Sequence, residues 1–197
     1  MSMTITGLLL AGGRGMRMGG VDKGLQDFRG KPMARHVLER LAPQVDRLAI
    51  NANQNLDVYR SFGYPVWPDR MGEFPGPLAG LHTGLAECGT AYLATAPCDS
   101  PFLPMDLVAR LKDALDDGHA HAAFAVTGRD EARQSHPVFC LLKVSDALPG
   151  LVRYLESGGR RMETWMREQA AVEVNFPNDD AFRNINTLEE LKKLEAS

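Results

Sequence analysis

Residues 5–24 read ITGLLLAGGRGMRMGGVDKG, an apolar run that passes directly into a glycine-dense, basic loop. Ile5–Leu10 has the length and composition of a buried strand. Gly12, Gly13, Gly15, Gly19, Gly20 and Gly24 leave the loop without side chains at six positions. Backbone N–H groups there can approach an anion closely, and Arg14, Arg17 and Lys23 add positive charge. The stretch therefore reads as a cradle for the phosphates of a nucleotide, set at the end of a first strand. It matches neither of two common phosphate-binding templates. A Walker loop needs Ser or Thr after its lysine, and Gly24 follows Lys23; a dinucleotide fingerprint needs glycine where Met18 stands.

Beyond the loop, strand-like and helix-like runs alternate. Leu38, Leu41 and Val45 mark a helix after Pro32, and Arg47–Asn51 a second strand. A short third strand is expected at 64–67. A helix opening at Pro77 carries Leu78, Leu81 and Leu85 on one stripe, and a fourth strand follows at 91–96. Pro104 is expected to open a helix bearing Leu107, Val108, Leu111 and Leu115. Two neighbouring strands, 120–127 and 138–143, are joined by the polar stretch 128–136. Helices near 146–156 and 162–168, a strand at 172–175 and a final helix complete the pattern. Thr187 with Glu190 forms a capping box for that last helix. The alternation predicts an α/β fold: one domain, a Rossmann-like three-layer αβα sandwich around a mostly parallel sheet. The character of the sequence changes near 119, and we expect a first part, about 1–118, that binds nucleotide through its loop, and a second part, about 119–197.

At 197 residues the chain can bury a substantial core. Its net charge of −3 gives no global basic field for nucleic acid, so any anion site is local. No run reaches the length of a membrane span and the N-terminus does not read as a signal peptide, which points to the cytoplasm. Cys88, Cys98 and Cys140 are odd in number and lack metal-ligand spacing. Cys98 reads either as a buried packing residue or, beside Asp99, as a reactive thiol.

Ligands of open α/β sheets bind beyond the carboxyl ends of the strands, which directs attention to the residues that follow each strand. Asp99 follows the apolar run YLATA. A carboxylate there suits Mg²⁺ against a triphosphate, or else caps the turn made with Pro101 and Pro104. Asp69 can bond ribose hydroxyls or a metal-bound water, or serve a surface turn. Asn51 and Asn53 offer amides suited to a base edge or ribose, or to a turn. Lys23 supplies a point charge for a β- or γ-phosphate, whereas Arg17 can grip oxygens bidentately. His136 can be an ordinary strand-end residue, and Arg160-Arg161 reads as a basic surface turn or as a contact for a phosphate.

These motifs resemble the nucleotidyltransferases with a Rossmann-like fold, which include sugar-nucleotide pyrophosphorylases and the enzymes that attach a nucleotide to molybdopterin. Ala11-Gly12-Gly13, Arg17-Met18-Gly19-Gly20 and Asp22-Lys23-Gly24 are closest to the molybdenum cofactor guanylyltransferases; many other relatives carry Ala-Ala-Gly. The resemblance implies GTP contacts from Leu10, Ala11, Gly12 and Lys23, a place beside the purine for Gly13, nucleotide contacts from Asn51 and Asp69, and Mg²⁺ on Asp99. It further implies that His136, within Gln134-Ser135-His136-Pro137, and the closing Asn184 and Asn186 face a molybdopterin-type acceptor.

The implied reaction is attack of the acceptor's terminal phosphate on the α-phosphorus of GTP, with loss of pyrophosphate. Lys23, Arg17 and Asp99 would carry it through charge neutralisation. A phosphate nucleophile is already anionic, so no general base is expected. Two enzyme alternatives are a cytidylyltransferase for the same cofactor, opposed by Ala-Gly-Gly, and a sugar-1-phosphate nucleotidyltransferase, opposed by the short C-terminal region. A GTP-binding adaptor without catalysis is opposed by the intact set Lys23, Asp69 and Asp99. A monomer is expected, as are partner proteins that deliver or receive the cofactor.

Overall fold

Helices cover both faces of β1 (Ile5–Leu10), and five of its six residues are buried, which is why its sequence, Thr6 apart, is apolar rather than alternating. The computed structural model describes residues 4–12, 22–70 and 76–195. After β1 come the short hairpin β2 (Asp27–Phe28) and β3 (Lys31–Pro32), α1 (Met33–Leu41), β4 (Arg47–Asn51), α2 (Leu56–Arg60) and β5 (Val66–Trp67). Next are α3 (Pro77–Glu87), β6 (Tyr92–Pro97), α4 (Leu107–Asp117), β7 (Ala122–Thr127) and β8 (Gln134–Lys143). The chain continues through α5 (Val144–Glu156), α6 (Met162–Glu168), β9 (Val172–Phe176) and α7 (Leu188–Glu195).

The described residues form a seven-stranded sheet in the order β5-β4-β1-β6-β8-β7-β9. β1 pairs in parallel with β4 and β6, β4 with β5, and β7 with β9. β8 runs antiparallel to both its neighbours, β6 and β7. Period-two alternation sorts the sheet's side chains between two cores. Leu9, Ile50 and Leu141 meet α1 and α4 on one face, while Leu8, Leu93 and Leu142 meet α3, α5 and α6 on the other. This is the expected three-layer sandwich.

Register brings the working ends of the strands together. Leu10 lies opposite Asn51 on one side and Pro97 on the other, and Asn51 lies opposite Trp67. Because β8 is reversed, its amino end reaches this same edge. That end is where the structure departs most from expectation. Residues 134–136, read from their polarity as loop, pair with β7 as Thr127↔Gln134, Val126↔Ser135 and Ala125↔His136. The pairing slips between Phe124 and Ala125, passing over Pro137, which has no N–H to give the ladder. Pro104 does not open α4; the helix starts at Leu107, and the Pro104 carbonyl accepts from Gln44 Nε2 at 2.9 Å in the preceding turn. The hairpin and α2 are too short to leave a periodic signal.

The closing segment packs back onto the first. Ile185 and Leu191 join Phe28 and Met33 in a third apolar cluster. The capping box forms as its sequence indicates: Glu190 N donates to Thr187 Oγ1 at 3.1 Å and Thr187 N to Glu190 Oε2 at 3.3 Å. Asn186 N also donates to Glu190 Oε2, at 2.7 Å. Thr187→Ala is expected to cost about 1 kcal/mol, read as a lower urea midpoint at unchanged slope.

Candidate active site

At the carboxyl edge, the strand ladder extends a little past β1. Ala11 N donates to Asn51 O at 2.8 Å, and Cys98 N to Leu10 O at 3.1 Å. These bonds fix Leu10, Ala11 and Gly12 along one side of a cleft that Lys23, Pro97, Asp99 and Asn184 also line. Gly13 and Arg17 lie outside the described residues.

The loop re-enters at Asp22, whose Oδ1 accepts from Gly24 N at 3.1 Å and caps the single 3-10 turn Lys23–Leu25. From that turn Lys23 Nζ donates to Asn186 Oδ1 at 2.7 Å and meets Asp99 Oδ2 at 3.3 Å. Asp99 is nearly buried, its carbonyl accepting from Ile185 N at 2.8 Å. Burial raises the Asp99 pKa above the usual carboxylate value, and the Lys23 ammonium opposes that rise. Three segments far apart in sequence thus converge on one ammonium group.

Asn51 and Asp69 form a second constellation. Asn51 is buried, and its Nδ2 donates to Trp67 O at 2.9 Å and to Asp69 Oδ1 at 2.8 Å. Asn53 Nδ2 donates to Asp69 Oδ2 at 2.7 Å and to Gly12 O at 3.3 Å, while its Oδ1 accepts from Asp69 N at 2.8 Å. Both carboxylate oxygens of Asp69 are therefore oriented by amides. Asn51 Oδ1 occupies the space that a Cβ at Gly80 of α3 would need, so that helix turn must be glycine for Asn51 to fit.

The candidate acceptor residues share the edge but not one cluster. Asn184 Oδ1 accepts from Ser100 Oγ at 2.5 Å beside the cleft, and Asn186 joins Lys23. His136 lies further along the sheet, stacked on Phe182 with centroids 4.9 Å apart and 2.8 Å from Thr127 Oγ1. Burial lowers its pKa, with Asp179 acting the other way. Cys98 is fully packed, and burial, then the Asp99 and Asp22 charges, push its thiol well above the ordinary range. Its burial and raised pKa favour the packing reading over the reactive thiol. Arg160 Nη1 donates to the Leu155 and Gly159 carbonyls, closing the turn between α5 and α6.

Among the described residues no group of three or more His, Cys, Asp or Glu side chains can hold a metal ion. Among the described residues two carboxylates line the cleft, Asp22 and Asp99. The Asp22 oxygens are engaged by Gly24 N, Tyr59 Oη and Asn55 Nδ2, which leaves Asp99 as the hard donor. One carboxylate suits Mg²⁺, which keeps several waters and takes phosphate oxygens. Asn55, Tyr59 and Ser100 did not stand out in the sequence, and Asp22 did so only within the motif Asp22-Lys23-Gly24, with no role of its own.

Residues 7–172 match the family of the MobA-like NTP transferase domain. The chain belongs to this family. It is a nucleotidyltransferase by that membership. The molybdenum cofactor guanylyltransferase of Ralstonia pickettii is 56% identical to it, the match covering 96% of this chain and 95% of the relative. That of Cupriavidus necator is 57% identical, over 95% and 94%. Molybdopterin-guanine dinucleotide biosynthesis protein A from Archaeoglobus fulgidus shares the fold, with a TM-score of 0.75, 22% identity and 97% of each chain covered.

Gly24 is a second tight point of the site. A Cβ there would stand 2.5 Å from the Tyr59 hydroxyl and 3.1 Å from Cys98 Cβ. Gly24→Ala is expected to cost about 1–3 kcal/mol as these groups are forced apart, measured by chemical denaturation alongside wild type.

Proposed function

We propose that this protein transfers GMP from GTP to the terminal phosphate of a molybdopterin-type cofactor, forming the guanine dinucleotide and releasing pyrophosphate. The observation that carries this reading is the pairing of Lys23 with Asp99 at the strand edge, in a chain so close to named guanylyltransferases. A phosphate oxygen of the acceptor attacks the α-phosphorus; the bond from that phosphorus to the α–β bridging oxygen breaks, and pyrophosphate leaves with the electron pair. No proton moves, so the chain has only to position and to neutralise.

Each residue has a part in that scheme. Lys23 meets the charge that builds on the leaving pyrophosphate. Arg17 shares that work, and the backbone of Leu10 to Gly13 lies along the nucleotide. Asp69, held by Asn51 and Asn53, accepts from ribose hydroxyls. Asn184 and Asn186 face the acceptor, with His136 on its outer flank, so the residues after about 118 complete a site begun by those before it. Asp99 would hold Mg²⁺, which when bound neutralises charge on the triphosphate. We further propose a cytoplasmic monomer that exchanges its labile acceptor with delivery proteins. Among the described residues no helix is long and apolar enough to cross a membrane.

Pyrophosphate release should require GTP, Mg²⁺ and a molybdopterin-loaded acceptor together; equal release with CTP would overturn the guanine assignment. Asp99→Asn should lower kcat by about 10³-fold or more while raising stability at neutral pH. The sign follows from Asp99 binding its proton more tightly when folded: above its raised pKa, ionisation costs the folded state, and the amide removes that cost. The same cost should fade in the wild type as pH falls through the folded pKa toward 3.8. Thermal melts of both proteins from pH 7 down to 4 would show the two curves converging.

A further inference from the structure

We infer that Asp22, Asn55 and Tyr59 form a clamp that positions Lys23, making Asn55 and Tyr59 positioning residues for the transfer although neither lines the cleft. The inference rests on the nucleotidyl-transfer reading above. Asp22 lines the cleft one residue before Lys23 and would be the obvious second ligand for a cation. Its hydrogen bonds assign it other work. Oδ1 accepts from Tyr59 Oη at 2.7 Å as well as from Gly24 N at 3.1 Å, and Oδ2 accepts from Asn55 Nδ2 at 3.1 Å. Its carbonyl accepts from Gln26 Nε2 at 3.1 Å. Donors from the loop itself and from α2 thus converge on one carboxylate.

The partners are built for this contact. Tyr59 is fully buried in the core beneath α1, with its ring edge-on to Phe62 at 5.8 Å. Burial, with the nearby Cys98 and Asp22, raises its pKa, so the phenol stays a neutral donor. Asn55 stands at the N-cap of α2 with φ 50° and ψ 36°, a left-handed conformation, and its side chain makes no capping bond. An asparagine at an N-cap ordinarily bonds the helix's own N–H groups; here the amide is diverted to Asp22. On the other side of the turn Cys98 closes the space behind Gly24. The 3-10 turn is held between these surfaces, and Lys23 Nζ leaves it toward Asp99 and Asn186.

An ammonium held in place acts on charge that develops as pyrophosphate departs. Loosening it should slow the chemical step more than it weakens GTP binding. Tyr59→Phe keeps the packed ring and removes only the hydroxyl. Asn55→Gly keeps a residue at ease in the left-handed region and removes only the amide. Each, in the full chain with GTP, Mg²⁺ and a molybdopterin-loaded acceptor, is expected to lower kcat about tenfold with KM for GTP within about twofold. Asp22→Asn, which keeps an acceptor oxygen for Tyr59 and Gly24, should retain more kcat than Asp22→Ala. Acylation of Lys23, followed by mass spectrometry without nucleotide, should be several-fold faster in both α2-side variants than in wild type. Unchanged kcat and unchanged Lys23 labelling in well-folded Asn55→Gly and Tyr59→Phe would overturn the clamp. So would activity lost only in proportion to unfolded protein. Failure of the wild type to release pyrophosphate from GTP would instead strike the functional reading, and the Lys23 labelling rates would still decide the clamp.

Discussion

The site is organised around one partly buried ammonium group. Lys23 Nζ is shared between Asp99, 76 residues away in sequence, and Asn186, 163 residues away. A cation withdrawn from water is costly unless it is paired and hydrogen-bonded, and the same holds for the carboxylate of Asp99. Each makes the other's burial tolerable, yet the compensation is incomplete, since Asp99 still binds its proton more readily than a free carboxylate. Burial thus works against the ionised carboxylate while the Lys23 ammonium works for it.

What allows three distant segments to meet is the direction of the sheet. Parallel strands must return through crossovers, so their carboxyl ends accumulate on one edge. β1, β4 and β6 deliver Leu10, Asn51 and Pro97 in register there. The reversed strand β8 would break this economy in a purely parallel sheet. Being antiparallel, it brings its amino end, with Ser135 and His136, to the same edge as Leu10, Asn51 and Pro97. The closing segment then crosses from β9 to the hairpin beside Lys23, fastened by Ile185 and by the Glu190 carboxylate. The residues proposed to meet nucleotide and acceptor thus share one sheet edge.

Polar residues at this edge act in layers. Asn51 and Asn53 orient Asp69, and Asp22 orients the turn that bears Lys23. Asn51 and Asn53 hold a carboxylate, and the Asp22 carboxylate holds the turn that bears an ammonium. The glycines at 24 and 80 belong to the same logic: they are small because a tyrosine hydroxyl and an asparagine amide need their space.

The sequence by itself determined the layered fold, because apolar runs and amphipathic stripes report burial directly, and each strand or helix long enough to repeat its period could be read. It also marked Lys23, Asp99 and the capping pair Thr187 and Glu190, whose chemistry is local to a strand end or a helix start. Only the tertiary structure decided that residues 134–136 are strand rather than loop, because their polarity reflects the partly exposed end of a strand and not a turn. It alone decided that Asn186 meets Lys23, that Asn53 serves Asp69, and that Tyr59 reaches Asp22. Those partnerships depend on chain crossings and strand register, which bring together residues whose separation in sequence carries no periodic trace.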